Sequence, residues 1–201
     1  MRSAAVIGLI IANVLAYFIE SSSPDAFDLA FALWPLQPAL DGQVHFQIWQ
    51  IVTYAFLHGS VAHLFFNMIG LYMFGGAIER AVGPSRLLVC YFASVVTAAI
   101  AQLIVPPLLG APAAPALGAS GGVFGLLLAY AILFPQAKVA LLIFPVPLPA
   151  RVFAVLYAVA ELFFGLTGRM SGVAHFAHLG GLVGSALVVG YWLRKARRRP
   201  G

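Results

Sequence analysis

The chain has 201 residues, of which 62% are hydrophobic and 8% charged, with a formal net charge of +5 and a mean hydropathy of +0.99. A soluble domain carries about 25% charged residues, so a water-soluble globular enzyme, a disordered chain and a disulfide-stapled secreted domain are excluded; the single Cys90 cannot form an internal disulfide. What remains is a polytopic membrane protein whose first partner is the lipid bilayer. Its basic residues sit between apolar runs and in one tail, so they serve topology and no nucleic-acid partner is expected.

Six apolar segments are predicted as spans: residues 4–19, 62–78, 87–105, 121–134, 152–166 and 173–193, followed by a basic tail at 194–201. All are too apolar on every face to be surface helices. In hydrocarbon a helix satisfies its own backbone, and the alternating polar positions of a β-barrel are absent. The expected architecture is one all-α membrane domain, without internal repeats. Residues 20–46 form the one long polar connection, with Phe27 and Trp34 as candidate interfacial anchors. Residues 139–150 are apolar too, but Pro145, Pro147 and Pro149 predict an interfacial loop rather than a helix.

An even number of spans puts both termini on one side. If that side is the cytoplasm, Arg2, Arg80, Arg86, Lys138, Arg151, Arg194, Lys195, Arg197, Arg198 and Arg199 are inside and only Arg169 is outside. A multi-pass protein of the cell (inner) membrane is expected, with Glu79 and Arg80 capping the inner end of the second span. The competing reading of residues 1–18 as a cleaved signal peptide lacks a small-x-small site directly after them.

Ionisable and strongly polar groups inside spans are expensive and point to function. His63 and Asn67 lie in span two, Ser120 opens span four, Glu161 is in span five, and His175 and His178 are in span six. At about 1.5 Å per residue, Ser120 lies about 10 Å below the outer surface, His178 about 9 Å and the His63–Asn67 pair about 5–10 Å. Glu161 is read as near midplane, protonated or hydrogen-bonded within the bundle, so no acid is expected at the depth of the histidines. A serine is a weak nucleophile until a base takes its proton, and neutral histidine is the usual base. His63 and Asn67, at i and i+4, share a face and can donate to an oxyanion, as can the free N–H groups opening span four. Gly118 and Gly121 flank Ser120 and allow close approach. Small-residue pairs Gly121/Gly125 and Gly180/Gly184 predict close packing of spans four and six. His175 is read as lining the mouth of the site.

Gly118-x-Ser120-x-Gly122 also fits a lipase nucleophile elbow, but that motif needs a preceding strand, and here a proline-rich loop precedes it. A metal site built from His58, His63, His175 and His178 is the other alternative. It lacks a His-Glu-x-x-His motif, and neither metal nor cofactor is expected.

In this order the motifs resemble those of the rhomboid intramembrane serine proteases. His58 to Asn67 is similar to the family's second-helix motif, Gly118-Ala119-Ser120-Gly121 to its Gly-x-Ser-Gly, and Ala177-His178-Leu179-Gly180-Gly181 to its sixth-helix Ala-His motif. The resemblance covers residues 49–184. It implies a six-transmembrane-helix rhomboid-like bundle and a Ser120–His178 dyad without a third acid. It also implies an oxyanion hole from His63, Asn67 and the Ser120 amide, with cleavage of transmembrane protein substrates near the outer face. Where the family often has Trp-Arg before the second span, this chain has Trp49-Gln50, which leaves loop anchoring open. Phe124 is expected under His178, in a position where the family often has an aromatic. Loops 106–115 and 166–172 would roof the site, with Phe153, Phe163 and Phe164 gating access beside span five. The competing functions are a catalytically inactive rhomboid-like protein that binds client helices and a small transporter built on Glu161 and the histidines.

Overall fold

Apolar side chains on every face, and a backbone that must bond to itself, produce helices almost throughout. The structure is a computed structural model that describes residues 3–36, 45–111, 114–140, 146–170 and 172–198. Arg2, Pro145 and Arg199, used in the sequence reading, lie outside these residues.

Helix α1 (Ala4–Glu20) is followed by a short α2 (Pro24–Phe31) inside the long polar connection. Ser23 precedes Pro24 at the first helical turn, where proline is pre-organised and its missing N–H costs nothing. The chain then forms α3 (Gln50–Thr53) and a 3₁₀ turn at Tyr54–Phe56. Span two is one continuous helical rod, Val61–Val82, made of α4 (Val61–Gly70), a π-helical turn (Leu71–Gly75) and α5 (Gly76–Val82). Gly83, at φ +88°, makes the whole turn into α6 (Pro84–Leu108). α7 (Ser120–Leu133), α8 (Ala150–Thr167) and α9 (His175–Arg197) complete the set. The fold is therefore an all-α polytopic membrane bundle.

Three departures from the sequence reading have physical causes. The apolar stretch with alternating prolines contains a two-residue antiparallel ladder, Lys138–Val139 with Leu148–Pro149, because an extended backbone accepts proline at a strand edge. The basic tail is not separate: α9 continues through Arg194, Lys195 and Arg197, whose charges suit the negative end of the helix dipole. Glu79 caps a different helix from its own. Its two carboxylate oxygens accept the N–H groups of Ala5 and Val6 at 3.0 and 2.9 Å, satisfying orphan donors at the start of α1.

The centre of the bundle is α6, α7 and α9, joined across small residues. A Cβ on Gly180 would meet Ala101 Cβ and the Thr97 carbonyl, both at 2.6 Å, and Gly184 sits as tightly on the Ala93 carbonyl. These two glycines thus pack on α6, not on span four as predicted. Gly181 makes the α7 contact instead, against the backbone of Gly121. Such glycine seams let helices approach where no hydrophobic effect drives them together. Four helical rods, Val61–Val82, α6, α8 and α9, are long and apolar enough to cross a membrane, while α1 and α7 are shorter apolar helices. Of the four, α8 is the least covered by the rest of the protein.

Candidate active site

Ser120 is the first residue of α7, and its surroundings are fixed from three sides. Gly118, at φ +122°, turns the chain into the helix; a Cβ there would meet His63 Cε1 at 2.7 Å and Nε2 at 2.8 Å. Only glycine provides both the backbone angle and the room, so the His63 ring lies against the strap leading to Ser120. The Gly118 N–H donates to the Tyr54 carbonyl at 2.9 Å, and the Tyr54 hydroxyl donates to the Val95 carbonyl at 2.9 Å. The strap is therefore tied to both the 3₁₀ turn and α6. Gly121 admits Ala98 of α6, which a Cβ would meet at 2.5 Å.

Close packing of α9 on α7 brings His178 Nε2 to 2.8 Å from Ser120 Oγ, in a shared hydrogen bond. Phe124, one turn along α7, stacks on the His178 ring with centroids 4.2 Å apart and planes 5° from parallel. Tyr157 of α8 meets Phe124 edge-on at 4.9 Å and completes an aromatic column. His178 is buried, whereas Ser120 and His63 are half-buried.

On α4, Ser60 caps the helix by accepting the His63 N–H at 3.1 Å. Asn67 is buried, and its side-chain amide donates to the His63 carbonyl at 3.1 Å. Among the described residues it makes no hydrogen bond to Ser120 or His178. His58 precedes α4, with its ring edge-on to His63 at 5.0 Å and its N–H donating to Glu20 at 3.0 Å. Burial, and then the neighbouring His63, hold the His58 imidazole well below the usual range, at about 4. The loop anchoring left open by Trp49-Gln50 is supplied by that pair. The Trp49 indole N–H donates to the Ala30 carbonyl at 2.9 Å, and the buried Gln50 Oε1 accepts from the N–H groups of Gln47 and Trp34 at 3.1 and 3.3 Å.

Three expectations about α8 and α9 are overturned. His175 does not line a mouth; it is buried, and its Nδ1 shares a 2.6 Å hydrogen bond with Glu161 Oε2. Glu161 is not remote from the histidines either. The same oxygen lies 3.0 Å from His178 Nδ1, so a carboxylate stands behind the ring that faces Ser120. The cause is where α8 ends. Glu161 is six residues from Thr167, about 9 Å at 1.5 Å per residue, and so level with the first turn of α9. Phe153 is also misplaced as a gate, since it is buried against Leu127, Ala131 and Val139. Phe163 is exposed, and Phe164 lies 5.8 Å from the His175 ring.

Residues 45–195 match the Rhomboid domain family. The chain belongs to the rhomboid family. It is 37% identical over 147 residues to Rhomboid protein 1, mitochondrial, of Saccharomyces cerevisiae, covering 73% of this chain and 42% of that protein. It is 30% identical to RHOMBOID-like protein 12, mitochondrial, of Arabidopsis thaliana, over 96% of this chain and 60% of the relative. It is likewise 30% identical to Rhomboid protease GlpG of Salmonella choleraesuis, over 87% of this chain and 58% of the relative. This rhomboid chain thus spans about half the length of the curated relatives it matches, and it is an integral membrane protein.

Sequence reasoning missed Glu161 and Tyr157 as neighbours of the site. A usable signal was present: an acid within two turns of the end of one span, facing a pair of histidines at the start of the next.

Proposed function

We propose that this rhomboid is an intramembrane serine endopeptidase that cleaves transmembrane segments of other proteins near the outer face. The 2.8 Å contact between Ser120 Oγ and His178 Nε2, at the opening of an apolar helix, carries the reading. Ser120 acts as nucleophile: its proton passes to His178 Nε2 as Oγ bonds to the scissile carbonyl carbon. The unpaired N–H groups at the start of α7, together with His63 and Asn67 of α4, donate to the oxyanion as it forms. The His178 imidazolium then protonates the leaving amine, and water hydrolyses the acyl-enzyme by the same steps in reverse order. Stacking on Phe124 holds the His178 ring during both transfers. Gly118 and Gly121 keep side chains away from the nucleophile and leave space for a substrate backbone.

The six apolar helices form one membrane domain with both termini in the cytoplasm, the side that collects all but one of the basic residues. The inner cell membrane is the matching location. α7 has 14 residues, about 21 Å of helix against a hydrocarbon core of roughly 30 Å, which recesses Ser120 below the outer surface. A substrate helix in lipid has its amides bonded internally, so the enzyme selects segments that unwind near their outer end. The name of the Salmonella relative, a rhomboid protease, agrees with this reading. The test is cleavage of a generic transmembrane substrate by the purified protein in detergent, with fluorophosphonate labelling in parallel. Ser120→Ala and His178→Ala are expected to abolish turnover, and Ser120→Ala to abolish labelling. Turnover by well-folded Ser120→Ala protein refutes the mechanism, and a wild-type protein that is neither labelled nor active refutes the peptidase reading.

A further inference from the structure

We propose that Glu161 is a positioning residue for His178, and that Glu161 and His175 form a buried relay behind the Ser120–His178 pair. The inference rests on the peptidase reading above. For His178 Nε2 to accept a proton it must present a lone pair, which leaves the single proton of the neutral ring on Nδ1. That proton needs an acceptor. Among the described residues, the polar atom facing His178 Nδ1 is Glu161 Oε2, at 3.0 Å. In the resting arrangement the contact is not aligned as a hydrogen bond, and Nδ1 makes no other. Aligning it takes a rotation of the carboxylate or the ring.

His175 holds the carboxylate in place. Its Nδ1 meets the same oxygen at 2.6 Å, and its Nε2 is buried without a partner among the described residues. The one polar contact of this ring is therefore the carboxylate, which identifies what the ring is for. Glu161, His175 and His178 offer ligand atoms within 4.8 Å of one another, a donor set that suits a divalent cation. Two atoms bound to one zinc at about 2.0–2.2 Å stand more than 3 Å apart in tetrahedral geometry. The 2.6 Å separation is that of a hydrogen bond instead.

In the reaction the Ser120 proton moves to Nε2, Nδ1 keeps its own, and Glu161 stays ionised beside the imidazolium until the leaving amine takes the proton. The carboxylate thus fixes the tautomer before attack and stabilises the charge that appears during it. The other titratable groups facing the trio are Tyr157, on α8 itself, and His63 from α4.

The experiment compares wild type, Glu161→Gln, Glu161→Asp, His175→Gln and Ser120→Ala, all as the full chain in detergent. One readout is kcat and KM for a transmembrane substrate across pH; the other is ¹⁵N NMR of labelled histidines. Glu161→Gln is expected to lower kcat by roughly 10²–10⁴ with little change in KM. Its rising limb of activity should move to lower pH, because the imidazolium loses its anionic neighbour. Glu161→Asp should recover part of the rate, and His175→Gln should lose less than Glu161→Gln. The wild-type His178 ring should carry its proton on Nδ1, and Glu161→Gln should give a mixture of tautomers. An unchanged tautomer and an unchanged pH limb in folded Glu161→Gln protein overturn the proposal. If the wild type cleaves nothing, the peptidase reading fails separately, and the NMR comparison still decides whether Glu161 governs His178.

Discussion

Replacing Gly181 by alanine tests whether glycine packing sets the distance between Ser120 and His178, the proposed nucleophile and base. Gly181 lies three residues after His178 on α9, against the backbone of Gly121, the residue after Ser120. A methyl group there would stand 2.8 Å from the Gly121 carbonyl carbon and 3.2 Å from its Cα, and closer still to the carbonyl oxygen. Carbon contacts settle at about 3.5–4.0 Å, so α9 must retreat from α7 by about 1 Å. The Ser120–His178 contact of 2.8 Å then lengthens beyond hydrogen-bond range. Overpacking of this kind costs about 1–3 kcal/mol of stability, and a misplacement of about 1 Å costs on the order of 10²-fold in rate. Gly190→Ala on the same helix is the control: nothing lies within 4 Å of its new methyl group, and alanine in a helix is favoured by about 0.5–1 kcal/mol. Substrate cleavage and thermal unfolding in detergent are measured for both. If Gly181→Ala matches Gly190→Ala in both assays, the packing account is wrong.

His63→Ala and Asn67→Ala should each slow cleavage by roughly 10²–10³ without abolishing it, because the N–H groups of α7 remain; single-turnover rates decide. Stability should fall as pH drops from about 6.5 towards 4. The folded His58 stays neutral down to about 4 while the unfolded residue protonates near its ordinary value of 6.5, so the unfolded state binds more protons across that window. Thermal melts of His58→Gln should lose this dependence, and an unchanged slope would show that another group causes it. Phe163→Ala, which trims an exposed ring on the least covered long helix, should preserve or raise turnover of a transmembrane substrate; a tenfold loss would place that ring in the site rather than beside it.

The helices are legible in the sequence because hydrocarbon leaves the backbone one economical solution, and observed ends differ from predicted ones by up to four residues. The start of α7 at Ser120 is legible within a residue, but glycines around a serine suit a helix N-cap as well, and it is the histidines at matching depth that single this serine out. The position of Glu161 is legible by the same depth counting: it lies five residues before the predicted end at residue 166, about 7.5 Å, which is the depth of the histidines, and α8 does stop there, at Thr167. Reading it as midplane overlooks this. The partners of Gly180 and Gly184, by contrast, are hidden. A small-x-x-x-small pair announces a close neighbour without naming it, and here the neighbour is α6. The role of Glu79 depends on α1 and α5 meeting, which no local pattern encodes.

Three carboxylates are buried among the described residues, and the way each is satisfied separates them. A buried charge is costly unless it is hydrogen-bonded. Glu79 takes two N–H groups that the start of α1 leaves without helical partners, and Glu20 takes the N–H of His58 in the loop before α4. Both supply what the backbone lacks, and a fold of this kind needs such caps wherever helices begin or loops dip below the surface. Glu161 sits mid-helix, where the backbone is already complete, and its partners are two imidazole rings. Structural need therefore explains the first two carboxylates and leaves the third without a backbone group to serve. What it does serve is the far side of the ring that faces Ser120, which is where a carboxylate changes the basicity and tautomer of a histidine base. Removing Glu79 should accordingly be felt in stability, and removing Glu161 in the pH dependence of turnover.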